Sequence, residues 1–353
     1  MNSTIEIHMH RKETESWPKV AIIILNWNSF QDTIDCLESL QLVDYENLEI
    51  IIVDNASKDE SLEKILSWSQ NKVCCQQLSY EPDDLKIGST LVSATDDASS
   101  GKSAKRLLVL IKLFKNTGFC LGNNIGMKQA AADGADFLLL LNNDTTVTSN
   151  FLKPMVEAAE QEENIGLVGG IICYAEDPDM IWFAGGSFDK YLETAREHNG
   201  ESYSGISFDR VFDTEWISGC MTMIPREIYD LLGGYYEEFF IWSEEWDYSL
   251  RVKNAGYRLV IASGSRVFHK VGRSLGVMKP LSYYYGTRNR LMLKDMYLSR
   301  SVRWTFLTFF LLSRIPRYTY LALQGRWDLV RAGCAGVRDY FFGRTGKWGN
   351  HAD

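Results

Sequence analysis

The order of apolar runs in the chain predicts an α/β fold, with a doubly wound, mostly parallel sheet covered by helices. Three observations carry this expectation. The first seventy residues alternate strand and helix: VAIIIL at 20–25, an amphipathic stretch Gln31–Leu40, LEIIIV at 48–53 and a second helical stretch Leu62–Trp68. The strand runs are continuously apolar, the pattern of strands buried on both faces. Polar residues follow each run directly: Asn26 after the first, Asp54-Asn55 after the second, and Asn142-Asn143-Asp144 after Phe137–Leu141. Such strand ends open onto a ligand cleft in open α/β sheets.

Taken in order, the first helix places Ile34, Leu37 and Leu40 on one face, and Ser57–Ser61 punctuates before the second. Residues 83–105 are rich in Ser, Asp, Gly and Lys and read as an inserted mobile loop. Gly101-Lys102-Ser103 within it is not a phosphate loop, because Asp96 stands where the motif needs a glycine. A strand resumes at Leu107–Ile111. Asn116, Gly118 and Asn124 then lie in a glycine-spaced stretch ahead of a helix predicted over Ile125–Ala132, where backbone can approach a ligand and free N–H groups can meet a phosphate. That stretch lacks the G-x-G-x-x-G dinucleotide fingerprint.

With 353 residues, 45% of them hydrophobic and 12% aromatic, the chain can bury a large core. Residues 1–17 are polar and charged, with no apolar stretch of a signal peptide, and read as a flexible arm. Seven cysteines without metal-site spacing fit a reduced, cytoplasmic setting. The net charge of −9 is uneven: residues 281–353 hold twelve Lys/Arg against four Asp/Glu, which leaves −17 on residues 1–280. That acidic body would repel phosphate backbones and argues against nucleic-acid partners. The basic tail contains WTFLTFFLL at 304–312, too short for the ~20 residues that span a bilayer. Its amphipathic, aromatic character suits either a helix lying on an anionic membrane face or a helix packed on the domain.

Two acidic constellations carry the chemistry. Asp144 offers hard oxygen ligands for Mg²⁺ or Mn²⁺, which complete their shells with substrate phosphates, although Asn-Asn-Asp-Thr is also a good turn and helix cap. In Ser243-Glu244-Glu245-Trp246-Asp247, three carboxylates among aromatics favour a raised pKa and general-base work. The same acids also suit the first turn of a helix, with Asp247 and Arg251 as an i,i+4 pair. His269 follows Val267-Phe268; a lone histidine is more often structural than a ligand.

In this order, Ala21–Asn28, Ile52–Ser57, Asn116–Asn124, Leu141–Asp144, Trp216–Met221, Glu244–Asp247 and Phe268-His269 resemble the family-2 glycosyltransferases, in particular a rhamnosyltransferase-like branch that builds surface polysaccharides. The resemblance runs from about Pro18 to Arg290. It implies a GT-A fold over 18–280, followed by a basic helical extension over 281–353. It also implies roles: Asn26, Asp54 and Asn55 at the nucleotide; Asn142-Asn143-Asp144 in place of the D-x-D motif, with Asp144 and His269 holding the metal; Glu245 as base, with Glu244 a rival. Trp216 and Gly219 would line the floor between donor sugar and acceptor, Trp216 stacking on a sugar or packing in the core.

The implied reaction takes a sugar from a nucleotide-diphospho-sugar, dTDP-rhamnose or a UDP-sugar, to a hydroxyl of a saccharide or lipid-linked saccharide with inversion. Two positions depart from the family pattern. Asn142 replaces the first Asp of D-x-D and lowers the charge of the metal site, and Glu245 is one methylene longer than the aspartate of many relatives. Arg288 and Arg290, in Tyr283–Arg290, would meet a lipid-linked diphosphate or anionic headgroups, placing the enzyme at the inner face of the cell membrane. A sugar nucleotidyltransferase is the competing enzyme class, but no Gly-rich, Lys/Arg-bearing loop follows the first strand. An inactive carbohydrate-binding scaffold is the non-enzymatic alternative, against which Asp144, Glu245 and His269 together argue.

Overall fold

A computed structural model of the chain describes residues 16–70, 72–80, 87–92, 107–207, 209–271 and 279–349, without the side chains of 74, 75, 80 and 87–92. The predicted N-terminal arm and the Gly101–Ser103 stretch therefore lie outside the described residues, apart from 16 and 17.

The chain begins with β1 (Val20–Asn26), α1 (Phe30–Gln41), β2 (Leu48–Asp54), α2 (Ser61–Gln70), β3 (Cys74–Tyr80), β4 (Ile87–Val92) and β5 (Leu107–Leu113). Strand β4 falls inside the stretch predicted as a loop and pairs antiparallel with β3, so part of that insertion is a hairpin. Neither strand has the continuous apolar run that made β1 and β2 legible. Next come α3 (Gly118–Ala132), β6 (Phe137–Leu141), β7 (Thr145–Val147), α4 (Leu152–Gln161), β8 (Ile165–Tyr174), β9 (Ile181–Phe183), β10 (Gly186–Phe188), β11 (Thr194–Arg196), β12 (Val211–Thr214) and β13 (Met221–Pro225). The remaining elements are α5 (Arg226–Leu232), α6 (Glu244–Asn254), β14 (Arg258–His269), α7 (Pro280–Tyr297), α8 (Arg300–Leu323) and α9 (Trp327–Phe341).

The main sheet runs β12-β14-β8-β13-β6-β1-β2-β5-β3-β4, with β7 on β14 and β9 on β8. Strands β6, β1, β2, β5 and β3 are parallel, and β13 enters antiparallel beside β6. The order proceeds from β1 toward β2 and β5 on one side and to β6 on the other. The carboxyl ends of β1, β2 and β6 thus border the crevice where such sheets bind ligands. Residues 20–24 and 50–53 are fully buried, as their unbroken apolar runs require.

Helix α3 starts seven residues earlier than predicted, and the glycine-spaced stretch is its first half, not a loop leading into it. A Cβ on Gly122 would lie 2.5 Å from Leu25 Cδ1, and one on Gly126 2.4 Å from Ile23 Cγ2. Those glycines serve close packing of helix on sheet. Only Gly118, at φ +84°, needs glycine for its backbone, and a Cβ there would meet Phe240.

Helix α7 crosses the boundary expected at 280. Its Leu293 belongs to the main core, and Met292 and Tyr297 pack against it. Among the described residues, no helix is long and apolar enough to cross a membrane.

Candidate active site

The tips of β1, β2 and β6 are joined by hydrogen bonds. Asn26 Nδ2 donates to Asp54 Oδ1 at 2.8 Å, and Ser57 gives Asp54 two more bonds, Oγ to Oδ1 at 2.6 Å and N–H to Oδ2 at 3.1 Å. Thr33 Oγ1 donates to Asn26 Oδ1 at 2.8 Å and accepts from Asn143 Nδ2 at 3.0 Å. A continuous polar chain therefore runs from Asp54 through Asn26 and Thr33 to Asn143. Thr33 and Ser57 were not among the residues singled out. Ser57 lay within the motif after β2, whereas Thr33 is one polar residue on an amphipathic helix and gave no signal.

Asn55 and Asn116 shape the start of α3. Asn55 Oδ1 accepts from Thr117 N–H at 2.8 Å and its Nδ2 donates to Gly118 O at 3.0 Å, while Asn116 Oδ1 accepts from Gly118 N–H at 2.9 Å. Asn124 is tied to the backbone of Tyr235 by both ends of its amide, 2.8 and 2.9 Å. Its amide thus holds the 233–235 turn against α3.

Sheet register explains how Asp144 and His269, 125 positions apart in sequence, meet. Strand β7 pairs antiparallel with β14 so that Thr145 lies opposite His269, and Lys270 N–H donates to Asp144 O at 2.9 Å. The side chains follow: His269 Nε2 lies 3.1 Å from Asp144 Oδ1, both groups nearly buried. Burial opposes a charge on His269, but Cys220 and the Asp144 carboxylate outweigh it and raise the imidazole to about 10. Its buried Nδ1 has no hydrogen-bond partner, and the Trp182 ring meets it edge-on at 4.8 Å. Asn142 N–H donates to Cys220 O at 2.9 Å, which ties the strand tip to the turn after Trp216.

The imidazole proton that now pairs with Asp144 would have to leave on metal binding, after which the carboxylate oxygen and the imidazole nitrogen are a donor pair that fits Mn²⁺ or Mg²⁺, with the remaining positions left to substrate phosphate and water. Among the described residues no third His, Cys, Asp or Glu joins them in a metal-binding group. The fit is thus that of a two-ligand site.

Trp216 is 5% exposed; its Nε1 donates to Ala195 O and its ring lies 4.8 Å from that of Phe183. Of its two readings, the structure shows the packed one. Gly219 sits in the turn between Trp216 and β13, and a Cβ there would lie 3.8 Å from Glu245 Cβ and from the Phe119 ring. The same turn therefore borders the Asp144 tip through Cys220 and the Glu245 side chain through Gly219.

Glu244 and Glu245 open α6. The approach to them is strained: Phe240, Trp242 and Ser243 have φ of 64°, 66° and 75°, left-handed values that such residues rarely adopt. Hydrogen bonds from α3 and α7 hold this backbone: Phe119 N–H and Cys120 N–H of α3 donate to Phe240 O at 2.7 and 3.2 Å, and α7 supplies the others. Asn289 Nδ2 donates to the carbonyls of Phe239, Ile241 and Trp242 at 3.1, 2.8 and 2.7 Å. Arg288, fully buried, donates through Nη2 to the carbonyls of Glu238 and Phe239 and through Nη1 to Gly346 O. Arg290 donates to the carbonyls of Leu192 and Tyr191 and pairs with Glu193.

These contacts correct the expectation for the α7 arginines. Their donors are spent within the fold, on backbone carbonyls and on the side chains of Asn289 and Glu193, not presented to a diphosphate or headgroup. Further along α6, buried Asp247 accepts from Arg251 at 2.9 Å and from Tyr297 Oη at 2.5 Å, anchoring the helix.

Burial pushes the carboxyl of Glu244 well up, the neighbouring Glu245 charge adding to it. Glu245 is also raised by burial, but backbone N–H and a hydrogen bond from Glu244 pull it back. Both carboxyls are thus raised, Glu244 further than Glu245. Glu244 Oε2 and the Trp246 indole N–H are buried without a partner.

A chain with this sheet, metal-suited strand tip and carboxyl pair belongs to glycosyltransferase family 2. The family model described as "Glycosyl transferase family group 2" matches residues 137–330, more than half of the chain, and that of "Glycosyl transferase family 2" matches 21–79. Among curated proteins it is 23% identical over 194 residues to the dTDP-rhamnosyl transferase RfbF of Shigella flexneri, covering 52% of this chain and 62% of that protein. It is 27% identical over 162 residues to the O-antigen biosynthesis protein RfbC of Myxococcus xanthus, covering 42% of this chain and 12% of that one. The chain thus spans less than two thirds of either relative.

Solved structures of like fold include GalNAc-T7 with UDP, GalNAc and Mn²⁺, at a TM-score of 0.59 and 15% identity over 92% of this chain and 56% of that one. Another is the mannosyltransferase PcManGT from Pyrobaculum calidifontis with GDP-Man and Mn²⁺, at 0.50 and 13% over 92% and 88%. Likeness at such identity shows the GT-A fold.

Proposed function

We propose that the chain is a metal-assisted, inverting glycosyltransferase of this family. In this reading it moves a sugar from a nucleotide-diphospho-sugar to a hydroxyl of a saccharide or lipid-linked saccharide in surface-polysaccharide synthesis. The observation that carries it is the convergence of three strand-tip and helix-start groups on one turn: Asp144–His269 through Cys220, and Glu245 through Gly219. The donor we favour is dTDP-rhamnose, on the named activity of RfbF; UDP-sugars are the next choice.

Asp54, already accepting three hydrogen bonds, and Asn26 form a rigid rim for the nucleotide. Asp144 and His269 would hold Mg²⁺ or Mn²⁺, which offsets charge on a leaving diphosphate when bound. Glu245 takes the proton of the acceptor hydroxyl as its oxygen attacks the anomeric carbon from the face opposite the leaving group, giving inversion. Glu244, holding its own proton, donates to Glu245 and keeps that carboxylate available.

We read residues 281–353 as the part that meets the inner face of the cell membrane. Trp304, Phe309, Leu312, Ile315 and Leu323 of α8 are more than half exposed in a segment with a strong cationic excess, which supports that reading.

A thermal-shift screen of nucleotide sugars with Mn²⁺ or Mg²⁺ tests the donor assignment, since a ligand of the folded state raises Tm. A shift with dTDP-rhamnose that needs the metal is expected; no shift with any nucleotide sugar sinks the reading in favour of an inactive scaffold.

A further inference from the structure

A second polar cavity lies between α7 and α8, separate from the strand tips. It measures about 160 Å³ and is lined by Ser282, Thr287, Arg314, Arg317 and Tyr318, with Gly286 in its wall. That is below the roughly 300–1,000 Å³ of a pocket for a drug-sized molecule and several times the ~30 Å³ share of one water. The space suits one small polar group.

Its charge identifies the group. Two guanidiniums, Arg314 and Arg317, reach the same cavity one helical turn apart, and among the described residues neither has a carboxylate within ion-pair distance. Arg317 Nη2 donates to Tyr283 Oη at 3.1 Å, and the Arg314 guanidinium stacks over the Phe310 ring at 4.0 Å. Arg314 Nε is buried and has no hydrogen-bond partner, and the buried Tyr318 hydroxyl lies beside the Thr287 side chain. The Tyr318 hydroxyl occupies space that only a glycine at 333 leaves open, since a Cβ there would lie 2.1 Å from it. Burial and the like charge of Arg317 disfavour the Arg314 cation, so an anion placed between them relieves both.

A half-buried cation such as Arg314, with its Nε out of reach of water, is costly unless an opposite charge and matching acceptors meet it. Arginine forks with nearby hydroxyls match the oxygens of a phosphate, which accepts several charge-assisted bonds at once. We propose that this cavity is a phosphate-binding site, taking a phosphate or phosphate ester. It is distinct from the donor site and independent of the roles given to Asp144 and Glu245. The phosphate can come from solution or from a lipid headgroup, because the exposed apolar side chains of α8 lie on the same helix.

The test uses the full chain with divalent metal removed by EDTA. One arm titrates inorganic phosphate by calorimetry; the other measures co-sedimentation with phosphatidylcholine vesicles with and without phosphatidic acid. Arg314→Gln/Arg317→Gln is compared with Arg300→Gln/Arg331→Gln, which removes equal charge from exposed positions outside the cavity. Asp144→Ala controls for the donor site.

The expected result is binding in at least one arm that the 314/317 variant weakens roughly tenfold or more while the other two variants keep it. Binding in solution assigns a free phosphate, and binding only to phosphatidic acid vesicles assigns a headgroup. Absence of binding in both arms overturns the site, as does equal loss in the 300/331 variant. Unchanged melting of the 314/317 variant in phosphate-free buffer excludes misfolding as the cause. If that melting falls, Arg317→Gln alone, at an exposed position, must show the weakening or the site is rejected.

Discussion

Asp54 and Glu244 are both buried carboxyls at the ends of secondary-structure elements, and the groups around them differ. Asp54 receives three hydrogen bonds from Asn26 and Ser57. Glu244 has one oxygen with no partner, a carboxyl for its nearest charge and strained backbone leading into it. Saturation by donors fixes the shape of a carboxyl. Desolvation beside a second carboxyl instead retains a proton. In the proposed reaction the β1–β2–β6 end holds a ligand in place, and the start of α6 holds and moves a proton. The second arrangement is unfavourable on its own and depends on α3 and α7 for support.

Breaking the strand-tip side gives the largest expected effect. If the proposed metal site is right, Asp144→Ala removes one of the two protein ligands proposed among the described residues, so metal-stimulated transfer is expected to fall to background, as it is when EDTA is added to the wild type. Transfer assayed with and without Mn²⁺ checks both.

The helix-start side is broken from a distance through Arg288. Arg288→Ala removes the charge-assisted bonds to the carbonyls of Glu238, Phe239 and Gly346, of which Glu238 keeps Gly346 N–H and Phe239 keeps Asn289 and Ile241 N–H as donors, and a loss of about 1.5–3 kcal/mol is expected. Denaturant unfolding measures it. Asn289→Leu releases the Ile241 and Trp242 carbonyls and should lower kcat more than it changes KM, because the carboxyl pair loses its placement while the strand tips do not.

A smaller effect sharpens the contrast at Asp54. Asp54→Asn keeps the volume but replaces an acceptor with an amide that cannot accept from both Ser57 donors. The loss of charge-assisted bonds, about 1.5–3 kcal/mol each, should appear as weaker nucleotide-sugar binding with kcat little changed. A binding titration of the variant decides this.

The smallest effect concerns pH. The carboxyl of Glu244 is raised in the folded chain above its ordinary 4.5, so the folded state holds a proton that the unfolded state releases. That contribution to stability is fully present below pH ~4.5 and is lost as pH rises through the folded pKa. Glu244→Gln, which cannot ionise, should flatten the fall of Tm with rising pH. Parallel slopes in wild type and variant would count against the assignment.

Much of the sheet was legible because buried parallel strands leave continuous apolar runs, and β1, β2, β5 and β6 all carry one. The hairpin of β3 and β4 was missed because neither CCQQLSY nor the glycine-containing edge strand IGSTLV carries a continuous apolar run. Asp144 and His269 could be named from motif order, but their contact depends on the register of β7 with β14, which no local pattern encodes. The α7 arginines were misread for a related reason. A basic stretch shows charge but not what it faces, and Arg288 and Asn289 face the carbonyls of a left-handed loop. Trp216 likewise shows an aromatic residue without showing that Phe183 and Ala195 enclose it.

The central claim is the division of labour between adjacent carboxyls, and release of nucleoside diphosphate from dTDP-rhamnose by Glu244→Gln and Glu245→Gln, measured side by side with Mn²⁺ and acceptor, tests it most directly. Gln at 244 still donates a hydrogen bond as the protonated acid does, so that variant should stay within a few-fold of wild type. Gln at 245 cannot accept the hydroxyl proton, and a loss of roughly 10²–10⁴ is expected. Equal rates in the two variants, or the larger loss at 244, would contradict the account.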